Sequence, residues 1–203
     1  SEMCIRDRFT KDEKKKDIGG IFLGFAILMY GMEAMSGAVA PLADNEKFTG
    51  ILTMFSNPIL GLLAGTILTA VIQSSSASVG ILQALCATGA VNFSTALPII
   101  MGQNIGTCVT AIISSIGTSK NAKRAAAVHL FFNISGTVIF MVVFYTLNTF
   151  VHFSFLNTAA SPAGIAVIHS LFNIGATILL FPFANLLEKM AILAIPDKGS
   201  EVE

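Results

Sequence analysis

The chain has 203 residues, of which 54% are hydrophobic and only 12% are charged, with acidic and basic residues in balance. An average soluble domain carries about 25% charged residues, so this composition and a mean hydropathy of +0.76 argue against a soluble protein and predict an all-α membrane protein. No Lys or Arg occurs between Lys47 and Lys120, and no Asp or Glu between Glu46 and Glu188, which leaves the middle of the chain neutral.

The N-terminal stretch, residues 1–17, reads SEMCIRDRFTKDEKKKD and is charged from its first positions. It lacks the apolar core of a signal peptide. We expect a basic linker here, with residues 1–8 a cloning or assembly scar and the natural chain beginning further upstream.

Four stretches are long and apolar enough to cross a bilayer core roughly 30 Å thick, which takes about 20 helical residues. They are residues 18–40, 93–116, 125–151 and 164–187. Residues 188–203 are then expected to form a cytoplasmic tail.

The apolar stretch 59–91 is awkward for a simple crossing. As one helix it would be about 50 Å long at 1.5 Å per residue, which requires extreme tilt. Divided at the polar sequence QSSS of residues 73–76, it gives two arms of only about 21 Å each, too short to cross. Two short arms that meet at a polar turn, here called the hairpin tip (residues 73–76), predict a re-entrant helical hairpin.

The basic residues support this topology, because Lys and Arg collect in cytoplasmic loops. If the hairpin returns to the side from which it enters, eleven of the twelve Lys and Arg residues lie inside and only Lys47 lies outside. A single crossing would place Lys120, Lys123 and Arg124 outside instead. We therefore expect a multi-pass protein of the plasma (inner) membrane with both termini cytoplasmic.

The consecutive serines of the hairpin tip predict an anion site. Serines at the start of the second arm are natural N-caps, and its first turn presents free N–H groups and the positive end of the helix dipole. Hydrogen bonding between membrane helices is the alternative role of Ser and Gln. Three serines in a row point in different directions around a helix, so we favour the anion site.

A second polar interruption, GQNIGTCVT, occupies residues 102–110 in the span 93–116. Gly102 and Gly106 weaken the helix at its centre, so we expect a broken helix there. Its side-chain oxygens belong to Asn104, Thr107 and Thr110. A Gly-xxx-Gly face for close packing is the alternative, and both interpretations are compatible.

The charge balance of such a site favours bound cations. Each helix end supplies only about half a charge, so helix ends and hydroxyls alone under-neutralise a phosphate-like dianion. No Lys or Arg occurs from Phe48 to Ser119. Interrupted apolar segments are typical of transporter sites, where helix ends face anionic substrates and Na⁺. We therefore expect coupling to Na⁺.

A third pattern repeats after 40 residues and places His, Asn and Thr on one face of two helices. The two stripes are His129, Asn133 and Thr137, and His169, Asn173 and Thr177. We expect them to tie these helices to each other or to the hairpin. A proton relay through His129 or His169 is the alternative.

The three cysteines, Cys4, Cys86 and Cys108, form no disulfide framework and no metal-binding pattern. Two of them lie in apolar segments, where a cysteine behaves as a small buried hydrophobe. We expect neither a disulfide nor a cofactor.

With these motifs the chain resembles the sodium–phosphate cotransporter family (type II, with bacterial members). That family carries two inverted repeats, each with a QSSS re-entrant hairpin and a following G-x-N-I-G-T-x-x-T segment, which match residues 73–76 and 102–110 here. The resemblance runs from about Lys14 to Leu187. It implies that residues 18–187 are the second repeat, one half of an inverted-repeat transporter.

The resemblance also implies roles for individual residues. Ser74, Ser75, Ser76 and Asn104 would contact phosphate, and Gln73, Thr107 and Thr110 would lie near Na⁺. In the family the site lies between two repeats, so a first repeat in cis or a second half in trans is implied. The expected partners are inorganic phosphate, Na⁺ and the lipid bilayer, with no nucleic acid.

The expected function is Na⁺-coupled symport of inorganic phosphate, with this chain supplying one repeat of the site and no catalytic residue. An intramembrane serine hydrolase is the first alternative, with a tip serine as nucleophile and His129 or His169 as base. No Asp or Glu within the span would orient that base. The second alternative is a non-transporting half-module that acts in assembly or regulation.

Overall fold

The computed structural model describes residues 13–42 and 45–196, and this part of the chain is built from helices. The α-helices are α1 (Glu13–Val39), α2 (Glu46–Met54), α3 (Pro58–Ile72), α4 (Ser75–Ala87), α5 (Phe93–Ser115), α6 (Lys120–Val151), α7 (Pro162–Leu180) and α8 (Ala184–Ala194). Short 3₁₀ turns occupy Ala40–Leu42, Ser154–Asn157 and Phe181–Phe183. Asn92 and Ala159 form an isolated antiparallel bridge.

Four helical segments in the described residues are long and apolar enough to cross a bilayer: Lys14–Met35, Phe93–Ser115, Lys120–Val151 and Pro162–Ala194. They confirm the predicted all-α membrane protein. Two boundaries differ from the sequence prediction. α1 begins at Glu13, inside the predicted linker, and the last segment continues through the Phe181–Phe183 turn to Ala194 because apolar residues such as Leu187 and Ala191 are buried there.

The stretch predicted to form a hairpin folds as two short helices. α3 has 15 residues and α4 has 13, and the helical path is interrupted at Gln73 and Ser74. At 1.5 Å per residue the two arms measure about 22 and 20 Å, below the roughly 30 Å of a bilayer core. Both arms are therefore too short to cross the bilayer, as a re-entrant hairpin requires. That they enter and leave the membrane on the same side remains a prediction.

The break predicted at residues 102–110 is wrong, because α5 runs as one helix from Phe93 to Ser115. The glycines are needed where α5 crosses α3. A Cβ on Gly106 would lie 2.6 Å from Thr66 O, and a Cβ on Gly102 would overlap Leu62 O. Close packing through small residues, the alternative interpretation, is therefore what the structure shows for this motif.

The same crossing uses two glycines of α3. A Cβ on Gly61 would lie 2.7 Å from Pro98 Cγ, and one on Gly65 would overlap the carbonyl of Ile99. The approach is close enough for Thr66 Oγ1 to donate a hydrogen bond across it to Gly102 O at 3.1 Å. One arm of the hairpin is thus fixed along its length to α5.

α5 lies at the centre of the fold, with every residue from Thr95 to Asn104 buried. α6 and α7 pack against it and against each other, with the Phe140 and Phe172 rings 5.0 Å apart in an edge-on contact. α1 packs against α4 and leaves apolar side chains exposed, including Phe22 at 70% and Tyr30 at 74%. Exposed apolar helix faces are expected where lipid or another membrane segment covers them.

Candidate substrate site at the hairpin tip

The hairpin tip is formed by two residues with different backbone conformations. Gln73 ends α3 in the left-handed region (φ 57°, ψ 22°), and its N–H donates to Thr69 O at 2.8 Å. Ser74 is extended, and its Oγ accepts a hydrogen bond from Ala77 N at 3.3 Å, which caps α4. The carbonyl end of α3 and the N–H end of α4 therefore meet within two residues.

Ser75 and Ser76 form the first turn of α4, and both are exposed. Their backbone N–H groups have no acceptor in the described part of the chain, as expected for the start of a helix. Ser76 Oγ lies 3.4 Å from Ser74 Oγ. The turn therefore presents two free N–H groups and neighbouring hydroxyls, the donor set that binds an oxyanion.

Three predicted site residues lie on α5, and two of them are hydrogen-bonded to its backbone. Asn104 is 5% exposed, and its Nδ2 donates to Ile100 O at 3.0 Å. Thr107 Oγ1 donates to Asn104 O at 2.6 Å, and Thr110 is exposed. No hydrogen bond among the described residues joins this stripe to the tip serines.

A buried polar cluster outside the predicted site residues lies one turn behind the tip. Gln103 Nε2 donates to both Ser78 O and Ser78 Oγ, each at 3.0 Å, and Thr69 Oγ1 lies 2.7 Å from Ser78 Oγ. All three side chains are buried, and Gln103 Oε1 has no hydrogen-bond partner among the described residues. The cluster links both arms of the hairpin to α5.

The sequence did contain a signal for this cluster. Thr69 precedes Gln73 by four residues, and Ser78 follows Ser74 by four, so each lies one helical turn from the break. Gln103 lies in the GQNIGT motif between Gly102 and Asn104. Polar residues one helical turn before and after a predicted break indicate that a neighbouring helix supplies a polar side chain to bond them.

The two matched stripes do not tie α6 to α7 through their asparagines. Asn133 Nδ2 donates to His129 O at 2.9 Å and Asn173 Nδ2 donates to His169 O at 2.8 Å, so each amide is bonded within its own helix. The histidines are also not equivalent. His129 is exposed, whereas His169 is half-buried and faces the same cavity as Ser75.

The tip serines and His169 line one cavity without a direct bond between them. Among the described residues, neither Ser75 nor Ser76 is hydrogen-bonded to His169, and no carboxylate lines the cavity that they share. In the described residues no group of three His, Cys, Asp or Glu side chains is placed to hold a metal ion. The groups that the tip and its cavity present are hydroxyl, amide, imidazole and backbone N–H groups.

The sequence is similar to that of known proteins over most of its length. The model of a family described as Na+/Pi-cotransporter matches residues 27–161. The chain is 31% identical over 185 residues to the uncharacterized protein YqeW of Bacillus subtilis, covering 90% of this chain and 59% of that protein. No solved structure matches.

Two further relatives have names that state a function. The chain is 39% identical over 113 residues to sodium-dependent phosphate transport protein 2A of Rattus norvegicus, covering 53% of this chain and 17% of that protein. It is 24% identical over 191 residues to the putative inorganic phosphate export protein YjbB of Salmonella typhimurium, covering 93% of this chain and 34% of that protein. The chain thus spans well under two thirds of each of these relatives.

Proposed function

Because the chain belongs to the Na+/Pi-cotransporter family, we propose that it supplies one repeat of the binding site of a Na⁺-coupled symporter for inorganic phosphate. The observation that carries the proposal is the first turn of α4. There the free N–H groups of Ser75 and Ser76 and the hydroxyls of Ser74, Ser75 and Ser76 are available to an anion. Asn104 is the fourth proposed phosphate contact.

The charge of phosphate favours a cation-coupled mechanism. A helix N-terminus offers about half a positive charge, against up to two negative charges on phosphate. No Lys or Arg occurs between Lys47 and Lys120 to supply the difference. Bound Na⁺ would balance it, and the proposed ligands are Gln73, whose side chain is exposed at the tip, together with Thr107 and Thr110 of α5.

The whole site requires a second wall. Ser75 and Ser76 are exposed and Thr110 is exposed, so another QSSS-bearing repeat, in cis or as a second half in trans, has surface to pack against. We propose that phosphate and Na⁺ are enclosed between the two. In this arrangement the protein is a multi-pass component of the plasma membrane with its basic loops and both termini cytoplasmic.

Uptake of labelled phosphate into proteoliposomes tests this function on the complete transporter, with both repeats present. Phosphate should accumulate only with an inward Na⁺ gradient, and Ser75→Ala should abolish uptake. Ser154→Ala is the matched control, because it removes an exposed hydroxyl from the Ser154–Asn157 turn, where Phe155 packs against Phe93 at the opposite end of α5 from Thr110. Equal uptake when K⁺ replaces Na⁺ would overturn the coupling, and full uptake by Ser75→Ala would overturn the site.

A further inference from the structure

A cavity of about 770 Å³ opens beside the hairpin tip, between α1, α4 and α7. Its polar lining consists of Ser75, Ser76, Gln83 and His169. Its other lining residues are apolar or glycine and include Leu28, Met32, Met35 and Val79. Two residues outside every motif assigned to the substrate, Gln83 and His169, therefore share a space with the tip serines.

The polar groups of this cavity have unused hydrogen-bonding capacity. The His169 ring makes no hydrogen bond within the described structure. Asn173 Nδ2 donates to the backbone carbonyl of His169, not to its ring. Gln83 Nε2 donates to Pro162 O at 3.0 Å, which leaves Gln83 Oε1 as the free end of the amide. The cavity thus offers hydroxyl and imidazole donors together with one amide acceptor.

This set of donors and one acceptor favours an oxyanion that carries a hydroxyl group over one that does not. Inorganic phosphate near neutral pH carries at least one P–OH group, which needs an acceptor, and unprotonated oxygens, which need donors. Sulfate has no hydroxyl at that pH. A hydrogen-bond acceptor that faces sulfate therefore has no donor to bind and lies against another oxygen. A buried or half-buried acceptor left without its donor costs binding free energy, and this is how polar sites reject close analogues.

We propose that His169 and Gln83 complete a phosphate subsite with Ser75 and Ser76, in which His169 donates to a phosphate oxygen and Gln83 Oε1 accepts from P–OH. This inference rests on the proposed function and adds two contacts to it. In this proposal α4 and α7 select a protonated oxyanion. The stripe of His169 then contacts substrate, whereas the stripe of His129 does not.

Few other titratable side chains lie near His169. Among the residues that line the cavity, all within the described ranges, His169 has the only titratable side chain. The helices packed against α7 contribute Cys86 of α4, Cys108 of α5, and His129, Tyr145, Lys120, Lys123 and Arg124 of α6; Glu33 is exposed on α1. No carboxylate is therefore positioned in the cavity to compete with phosphate for His169.

The first test compares His169→Gln with His129→Gln in the complete transporter. The Gln side chain keeps a donor of similar reach and cannot become charged, and His129 is the matched control because it is exposed on the other stripe. His169→Gln should raise the KM for phosphate about tenfold at pH 6 with little change in kcat, whereas His129→Gln should match the wild type.

The pH profile separates a phosphate contact from a packing effect. Protonated His169 donates more strongly, so the ratio of the KM of His169→Gln to that of the wild type should rise as pH falls from about 8 to about 6. The titration of phosphate itself cancels in this ratio. A ratio that does not change with pH would overturn the assignment of His169.

The second test is competition by sulfate. Gln83→Met removes the acceptor and retains side-chain length, so sulfate should inhibit phosphate uptake about tenfold more effectively in this variant than in the wild type. The comparison is made within each variant, so a general loss of active protein does not alter it. If the ratio of the inhibition constant for sulfate to the KM for phosphate is the same in Gln83→Met and in the wild type, the proposed role of Gln83 is wrong.

A phospholipid head group is the other source of a phosphate oxyanion for this cavity, and phosphate binding in phospholipid-free detergent distinguishes the two. A weaker binding of inorganic phosphate by His169→Gln there supports the subsite, and an effect seen only with phospholipid present overturns it. If Ser75→Ala abolishes uptake while the His169 and Gln83 variants behave as wild type, the proposed function stands and this inference fails. If Ser75→Ala has no effect, the proposed function fails first.

Discussion

Gln103 of α5 donates through its amide nitrogen to two acceptors of Ser78 of α4, with Nε2 3.0 Å from Ser78 O and 3.0 Å from Ser78 Oγ. The acceptor Ser78 O is a carbonyl, which fixes the orientation of the amide and leaves Oε1 buried without a partner among the described residues. Because Ser78 N also donates to Ser74 O at 3.0 Å, the position of the tip depends on this pair.

Changing Gln103 should therefore destabilise the fold by an amount that depends on the replacement. Gln103→Glu loses the donors and buries a carboxyl group, which should cost at least about 3 kcal/mol. Gln103→Met removes the two hydrogen bonds but also the unpartnered oxygen, and should cost less than about 1.5 kcal/mol. Thermal unfolding of each variant in detergent, monitored by size-exclusion chromatography, shows which variant loses more stability. Equal losses for the two variants would contradict the buried location of Oε1.

The crossing of α3 and α5 predicts a sharp difference between glycines. Gly102→Ala places a methyl group against the Leu62 carbonyl, so the helices must separate, and we expect a loss of several kcal/mol and poor expression. Gly19→Ala on α1 is the control. Nothing lies within 4 Å of its Cβ position, and alanine in a helix should be neutral or stabilising by up to about 1 kcal/mol. Similar melting temperatures for both variants would contradict the close crossing.

The two short helices and the break between them could be predicted from sequence because arm length is a local property. A stretch that is too long for one crossing and has QSSS at its centre has few ways to fold in a bilayer. The continuity of α5 could not be predicted in the same way. Gly102 and Gly106 each lower helix propensity by about 1 kcal/mol, but contacts with a helix some 40 residues earlier in the chain offset that loss.

The buried cluster and the cavity were missed for a related reason. The sequence places polar residues on either side of the break but does not specify that Gln103 turns toward α4. It also does not specify that His169 and His129, with similar surroundings in sequence, face a cavity and the exterior respectively. The difference between the histidines follows from the packing of Gly136 against Ala176 and of Phe140 against Gly175, which sets the rotation of α6 and α7. Sequence periodicity identifies a polar face but does not determine its partner.

Ser74 is expected to have two separable roles. As the N-cap of α4 it accepts a hydrogen bond from Ala77 N, and Ser74→Ala should cost about 1 kcal/mol of stability. Ser74→Asp keeps a capping oxygen and favours the helix dipole, but it places a negative charge in the proposed phosphate site. We expect Ser74→Asp to retain the wild-type melting temperature and to lose phosphate uptake. Uptake retained by a well-folded Ser74→Asp protein would place phosphate away from the tip.

Gln73 offers the clearest separation of stability from ion binding. It is a non-glycine residue with φ 57°, a region in which glycine lacks the steric penalty of about 1 kcal/mol that other residues carry. Gln73→Gly should therefore leave thermal stability equal to or above that of the wild type. If the exposed Gln73 side chain is a Na⁺ ligand, the same change should raise the Na⁺ concentration needed for half-maximal phosphate uptake about tenfold. Gln73→Asn, which keeps the amide and tolerates the left-handed region, should shift it less. An unchanged Na⁺ dependence in a stable Gln73→Gly protein would remove Gln73 from the cation site and leave Thr107 and Thr110 as its proposed ligands.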